Sequence, residues 1–292
     1  MEQNYVFMTD SDSDLPFSMA DELNIPVVRM PYTLDGEEHE DDNGRSGAEP
    51  HFFQRMREGA TPSTSLLPTA AYLEYFEPIL REKDLLFIAF SSNMSSTIQN
   101  IFEARKQLLE KYPERKFTVV DTLSISAPMT LLVLKAHELY AAGRPMDEVA
   151  QWVLDNRMRA QAWMTVDDLK YLARGGRISP TSAIFGTMLD IKPIICLGKN
   201  GKMEAVEKVR GRKKTLKTIV ERTAQYIEHP EDQTVAILHG DAPEEAETLA
   251  RMLRERIPDI RDIRIQIVGP VIGSHCGPGT LACVFFGKER EF

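Results

Sequence analysis

The sequence predicts an α/β protein of two domains: a parallel-sheet sandwich over residues 1–160 and a domain with a mixed sheet over 161–292. Three observations carry this. Apolar strand-like runs alternate with amphipathic helical runs through the first half, the order that builds a parallel sheet covered by helices on both faces. In the second half an Asn-Gly turn joins two apolar runs, which brings in antiparallel pairing. The chain is 292 residues long, about two domains at roughly 150 residues each.

Tyr5–Thr9 is a short apolar run ending at Asp10 and reads as the first strand. After an acidic, serine-rich turn a helix is expected over Pro16–Leu23, and Val27–Leu34 is rich in strand formers. Asp35–Asp42, dense in carboxylates around Gly36, is expected to be a solvated turn. Ala70–Leu80 has helical spacing in Leu73, Phe76 and Leu80, disturbed by Pro78. Asp84–Phe90 is continuously apolar, as strands buried on both faces are. Ile98, Ile101, Phe102, Leu108, Leu109 and Tyr112 then share one face of an amphipathic helix that Pro113 ends. Phe117–Val120 reads as a strand, and Met129–Tyr140 and Met146–Met158 as helices parted by Gly143 and Pro145.

In the second half Ala162–Val166 reads as a strand. Leu169–Ala173 is one helical turn, stopped by Arg174-Gly175-Gly176-Arg177. Ile191–Leu197 and Met203–Val209 pair around Lys199-Asn200-Gly201-Lys202. Thr215–Ile227 is helical, Val235–His239 a strand, Pro243–Arg256 a helix and Ile263–Val268 a strand. A glycine-rich loop leads to the last strand, Leu281–Phe286.

Thirty-five basic and 44 acidic residues leave a net charge of −9, and such a field repels nucleic acid and anionic membranes. The apolar run Leu85–Phe90 is far short of the ~20 residues that span a bilayer, so no stable membrane insertion is expected. No basic stretch followed by a long apolar segment opens the chain, so no signal peptide is expected and a cytoplasmic location is. Cys196, Cys276 and Cys283 form no CxxC pair, which argues against a disulfide framework and a structural zinc; no metal is expected.

Five hydroxyls crowd Ser91-Ser92-Asn93-Met94-Ser95-Ser96-Thr97 between a buried strand and a helix start. Capping uses one or two of them. The surplus, beside free helix N–H groups, suits a carboxylate or phosphate held by neutral donors. Gly273-Ser274-His275-Cys276-Gly277-Pro278-Gly279-Thr280 is expected to form a tight loop that presents His275. Arg174 and Arg177, around Gly175-Gly176, suit a phosphate or partner contact. So does the basic cluster Lys208-Val209-Arg210-Gly211-Arg212-Lys213-Lys214.

Asp10-Ser11-Asp12-Ser13-Asp14 fails as an EF-hand, because Leu15 and Asp21 stand where glycine and glutamate are needed. An apolar strand ending in Asp-x-Asp also fits a magnesium-dependent phosphatase of the haloacid dehalogenase type, with Asp10 and Asp12 as its acids. Ser91, Lys192 and Asp241 would fill its remaining places. That is the runner-up function. Neither a Walker P-loop nor a kinase glycine loop is present.

Taken in order, Thr9-Asp10-Ser11, Thr64-Ser65, Ser91 to Thr97, Tyr171 to Ser179, Lys192-Pro193-Ile194-Ile195, Lys208 to Lys214, His239-Gly240-Asp241 and Gly273 to Gly279 resemble the DegV family of fatty-acid-binding proteins. The likeness runs over nearly the whole chain, and its most specific marks are the Gly-Gly-Arg and the final His-x-Gly segments. It implies a two-domain α/β fold with one long-chain fatty acid between the domains and no cofactor. The carboxylate would be held by Thr64, Ser65, Ser92, Ser95 and His275. It also implies a carrier without activity of its own, which presents the carboxylate to a separate ATP-dependent fatty acid kinase; Arg174, Arg177 and Arg210 are candidate contacts to that kinase or to phosphate. Ser96 stands where the family usually has glycine and is expected to narrow the head-group pocket. Cys276 stands where it often has threonine.

Magnitudes say what would hold such a ligand. About 14 methylenes at ~0.8 kcal/mol each give on the order of 11 kcal/mol of transfer energy. A neutral hydrogen bond gives only about 1 kcal/mol net. The tail sets affinity and the hydroxyls set orientation. Ile184–Leu189 and Ile194–Leu197 are candidate walls for the tail.

Overall fold

A computed structural model of the chain describes residues 3–178 and 190–292. The first half runs β1 (Tyr5–Asp10), α1 (Phe17–Glu22), β2 (Val27–Val28), β3 (Pro31–Leu34), β4 (Glu37–Glu40), α2 (Glu49–Arg57), β5 (Ser63–Thr64), α3 (Thr69–Leu80), β6 (Asp84–Ala89), α4 (Thr97–Lys111), β7 (Phe117–Asp121), α5 (Ser126–Ala141) and α6 (Met146–Asn156). The second half runs β8 (Ala160–Thr165), α7 (Lys170–Arg174), β9 (Ile191–Leu197), β10 (Met203–Arg210), α8 (Arg212–Tyr226), β11 (Thr234–His239), α9 (Pro243–Arg256), β12 (Asp262–Ile267), α10 (Pro270–Cys276) and β13 (Leu281–Phe286).

The continuously apolar β6 lies inside a parallel sheet of order β2-β1-β6-β7, with Leu85 to Ala89 buried by helices on both faces. The second sheet has the order β10-β9-β8-β13-β11-β12. Only β11 and β12 pair in parallel there, so it is mixed, as the Asn-Gly hairpin β9–β10 requires. Apolar packing is continuous between the sheets: Met8 and Phe87 of the first share one core cluster with Met164 and Ala282 of the second. Arg290 ties the same regions. Its buried guanidinium donates to the Ala160, Leu123 and Gly198 carbonyls and to the Ser124 hydroxyl.

Several expectations are corrected. The acidic stretch 35–42 is exposed over 35–38, as expected, but its turn closes a two-residue hairpin, β3–β4. Asp35 (φ 53°) and Gly36 (φ 87°) both take the left-handed conformation that such a mirror-image turn demands. Asp41, just beyond it, is buried. Phe102 is exposed, because the buried stripe of α4 runs through Ile98, Ile101, Ala104 and Leu108. The segment around His275 is the helix α10, begun by Pro270, and only Gly277 onward forms a turn. Ile184–Leu189 lies outside the described residues.

Candidate functional site

The small sheet β4-β3-β5 sets Thr64 opposite Tyr32. From the other half of the chain, α10 brings His275 on its last turn. Thr64 Oγ1 lies 2.9 Å from His275 Nε2. On the other side of the imidazole is the end of α7. A Cβ built on Gly175 would fall 2.3 Å from His275 Nδ1, so only a glycine lets the ring sit there. Burial, followed by Arg177 and Arg174, pushes His275 down to about 4, so the ring is neutral at pH 7.

Two carboxylates that sequence reasoning left in acidic turns fix the other end of α10. Asp14 accepts the Gly269 amide (3.0 Å) and Asp41 the Val271 amide (3.3 Å). These carboxyl oxygens satisfy backbone N–H groups that a helix start leaves without an intrahelical partner. Asp14 also accepts from the Ser126 hydroxyl. Burial pushes Asp14 up to about 8 and Asp41 to about 7.

The turn after α10 is held from outside by the basic cluster. Arg212 donates to the Gly279 carbonyl (2.6 Å) and grips Glu245 with two nitrogens at 2.9 and 2.8 Å. Asp167, against which Gly279 packs, is paired with Arg212 (3.5 Å) and Lys192 (2.9 Å). The Thr280 hydroxyl closes the helix end by donating to the Cys276 and Gly277 carbonyls.

These elements enclose a cavity of about 470 Å3, within the range of small-molecule sites. Its polar lining includes Thr64, Ser65, Ser95, Ser96, Arg177 and His275. The remainder is mostly apolar, with Met30 and Met94 from the first half and Met164, Leu197, Leu238 and Val284 from the second. Leu197 is the part of the expected wall 194–197 that reaches it. Ser96 and Cys276 both line it.

Other expected site residues lie elsewhere. Ser92 is not in the lining: the turn 91–95 aims its amide at Asp121 (3.3 Å). Ser91 and Asn93 bind the turn between β9 and β10, through the Gly201 and Asn200 carbonyls at 2.9 and 2.8 Å. The hydroxyl surplus therefore divides between the cavity and a tie across the molecule. Arg174 donates to the Pro62 and Ser274 carbonyls (both 3.4 Å), bracing the chain on either side of the Thr64–His275 contact. Arg210 is exposed at the end of β10, opposite Ile191, and does not line the cavity. The phosphatase places are not gathered. Lys192 is paired with Asp167, Asp241 with Arg57, and Ser91 faces Gly201. Asp10 is buried in a tight turn of the core, and of the phosphatase residues only Asp12, in the same turn, lines the cavity. Among the described residues, the groups close enough to hold a metal are the exposed His229, Glu231 and Asp232, away from those acids in the chain.

A family model for uncharacterised proteins of the DegV family matches residues 5–288. The chain belongs to the DegV family. A DegV domain-containing protein of Clostridium perfringens is 39% identical over 290 residues, 99% of each chain. A DegV family protein of Thermus thermophilus, whose structure is described as showing fatty acid binding, superposes with a TM-score of 0.86. It is 28% identical and is matched over 98% of this chain and 100% of its own. A fatty-acid-binding DegV family protein of Streptococcus agalactiae gives 0.83 at 27% identity, over 99% and 100%. The DegV fold is thus shared with proteins described as fatty acid binders. Among the described residues of this member no helix is long and apolar enough to cross a membrane.

Proposed function

We propose that the protein binds one long-chain fatty acid in this cavity, with its carboxylate at Thr64 and His275, and is a carrier rather than an enzyme. The single observation that carries the reading is a largely apolar cavity whose polar lining is mostly neutral donors, with a neutral imidazole among them. Ser65, Ser95 and Ser96 add hydroxyls, and Arg177 a positive charge suited to an acid. The two-domain division at residue 160 belongs to the same reading: the ligand lies between halves 1–160 and 161–292, and both supply wall residues. The carboxylate is then offered to a separate ATP-dependent kinase, with Arg174, Arg177 and Arg210 as contacts; the family resemblance supports that step.

Displacement of a fluorescent fatty acid tests the binding. Palmitate and oleate should compete at one site per chain, while short acids of two to four carbons should not, because they lack the tail's burial energy. Equal competition by acetate would refute the reading. Incubation with ATP and a fatty acid kinase should convert the bound acid to acyl phosphate, and the protein alone should not.

A further inference from the structure

Among the described residues, Asp12 is the one carboxylate that lines the cavity. It is 4% exposed, and its Oδ1 is buried without a hydrogen-bond partner. Its backbone is held in place, because the turn is fastened on both sides. The Met30 amide donates to the Ser11 hydroxyl (2.9 Å), the Ser13 hydroxyl to the Asp10 carbonyl (2.7 Å), and the Asp14 amide to the Ser11 carbonyl (3.0 Å). The charged and titratable groups facing it are Asp10, Asp14 and Asp41, with Arg177 and the Tyr72 hydroxyl. Of these Arg177 alone favours a charge on Asp12, and Arg177 also faces His275.

A buried carboxylate among three others, with an unpartnered oxygen, is strongly disfavoured as an anion. A second anion in the same cavity makes it worse, since two carboxyl groups in one low-dielectric site do not both ionise. A neutral acid has an O–H to give, and a bound carboxylate accepts it. Arg177 is then left free to face the ligand's charge.

We propose that Asp12 is a proton-bearing contact of the ligand: as a neutral carboxylic acid it donates its O–H to the acid group of the bound molecule, so that two carboxyl groups share one proton. This rests on the fatty-acid reading and adds to it a requirement for an acid head group and an upper pH limit. The proton stays within the pair and no covalent bond changes. If Asp12 has ionised beforehand, one proton enters from solvent with each ligand.

The test is the pH dependence of the dissociation constants of palmitate and palmitamide for the wild type, Asp12→Asn and Asp12→Leu. Palmitate should bind the wild type more weakly at alkaline pH, by about tenfold per unit once Asp12 ionises. Palmitamide, which needs no proton, should lack that fall. Asp12→Asn keeps an N–H donor and should hold palmitate with a flatter alkaline limb; Asp12→Leu should bind about tenfold more weakly at neutral pH. Identical palmitate profiles for the wild type and Asp12→Asn overturn the proposal. Binding of neither ligand by the wild type removes the fatty-acid reading, and the proposal with it. A measurement on the wild type alone stands apart from how the variants fold. With palmitate isotopically labelled at its carboxyl carbon, the infrared band of a protonated side-chain acid should shift when ligand is added. An unshifted band overturns the shared proton.

Discussion

His275 Nε2 and Thr64 Oγ1 sit 2.9 Å apart, joined across 211 residues of chain. One stands at the end of a seven-residue helix and the other on a two-residue strand, elements too short to hold their places by themselves. Their geometry is imposed by neighbours. Asp14 and Asp41 fix the start of α10, Arg212 holds the turn beyond it, and Gly175 closes behind the ring.

His275→Ala removes one head-group partner and leaves the apolar wall intact. Binding should weaken by ~1–2 kcal/mol, roughly 5- to 30-fold in Kd. Transfer of the carboxylate to a kinase should fall much further, because phosphoryl transfer depends on holding the reacting oxygen in line. Parallel measurement of lipid content and acyl phosphate formation checks this. Equal losses of both would make His275 only a binding residue.

Gly175→Ala and Gly176→Ala form a contrasting pair. A methyl at 175 meets the imidazole at 2.3 Å and must expel it, at a cost of about 1–3 kcal/mol. At 176 (φ 69°) nothing lies within 4 Å, so the change costs only the left-handed conformation, about 1–2 kcal/mol. The imidazole proton resonances of His275 should move in the first variant and stay in the second. Unmoved resonances in Gly175→Ala would contradict the clamp.

Arg212→Gln should disturb the cavity from outside it, by freeing the Gly279 carbonyl and leaving Glu245 and Asp167 without this partner. The expected result is a roughly tenfold faster release of bound fatty acid, with Arg212→Lys restoring part of the loss through a single donor. Stopped-flow displacement gives both rates. A wild-type rate in Arg212→Gln would confine the residue to surface pairing.

The buried acids set an alkaline limit on stability. Asp10 and Asp41 at about 7 and Asp14 at about 8 hold protons that the unfolded chain, with an ordinary value of 3.8, has released. Their contribution is complete below about 4 and is lost as pH rises through 7 to 8. His275 works oppositely: its folded value near 4 lies below 6.5, so its share is present above 6.5 and lost as pH falls towards 4. The Tm should therefore drop as pH rises from about 5 to about 8, where the loss is complete, and Asp14→Asn should lessen that drop. A Tm that is flat or rises over this interval would show that the acids are ionised in the folded protein.

Strand and helix order was legible because burial imposes its period directly on the residues. Pro243–Arg256 is α9 to the residue, and the Asn-Gly turn announced β9–β10. Asp35-Gly36 carried the same kind of turn signal, and the acidic residues around it hid it. Three of the five expected carboxylate contacts, Thr64, Ser65 and Ser95, line the cavity beside His275, while Ser92 does not. Which hydroxyl of a crowded turn points inward depends on the turn's own hydrogen bonds, and spacing does not encode those. Asp12, Asp14 and Asp41 were unreadable as buried groups. A carboxylate reads as solvent-facing in one sequence, and only the tertiary fold closes over it.

The most direct test of the account is a native mass spectrum of the purified protein, followed by extraction of what it carries. It should show a single added mass per chain, released on denaturation as a fatty acid of roughly 14 to 18 carbons, a tail long enough to supply the burial energy. A spectrum at the bare chain mass, with no uptake of added palmitate or oleate, would contradict it.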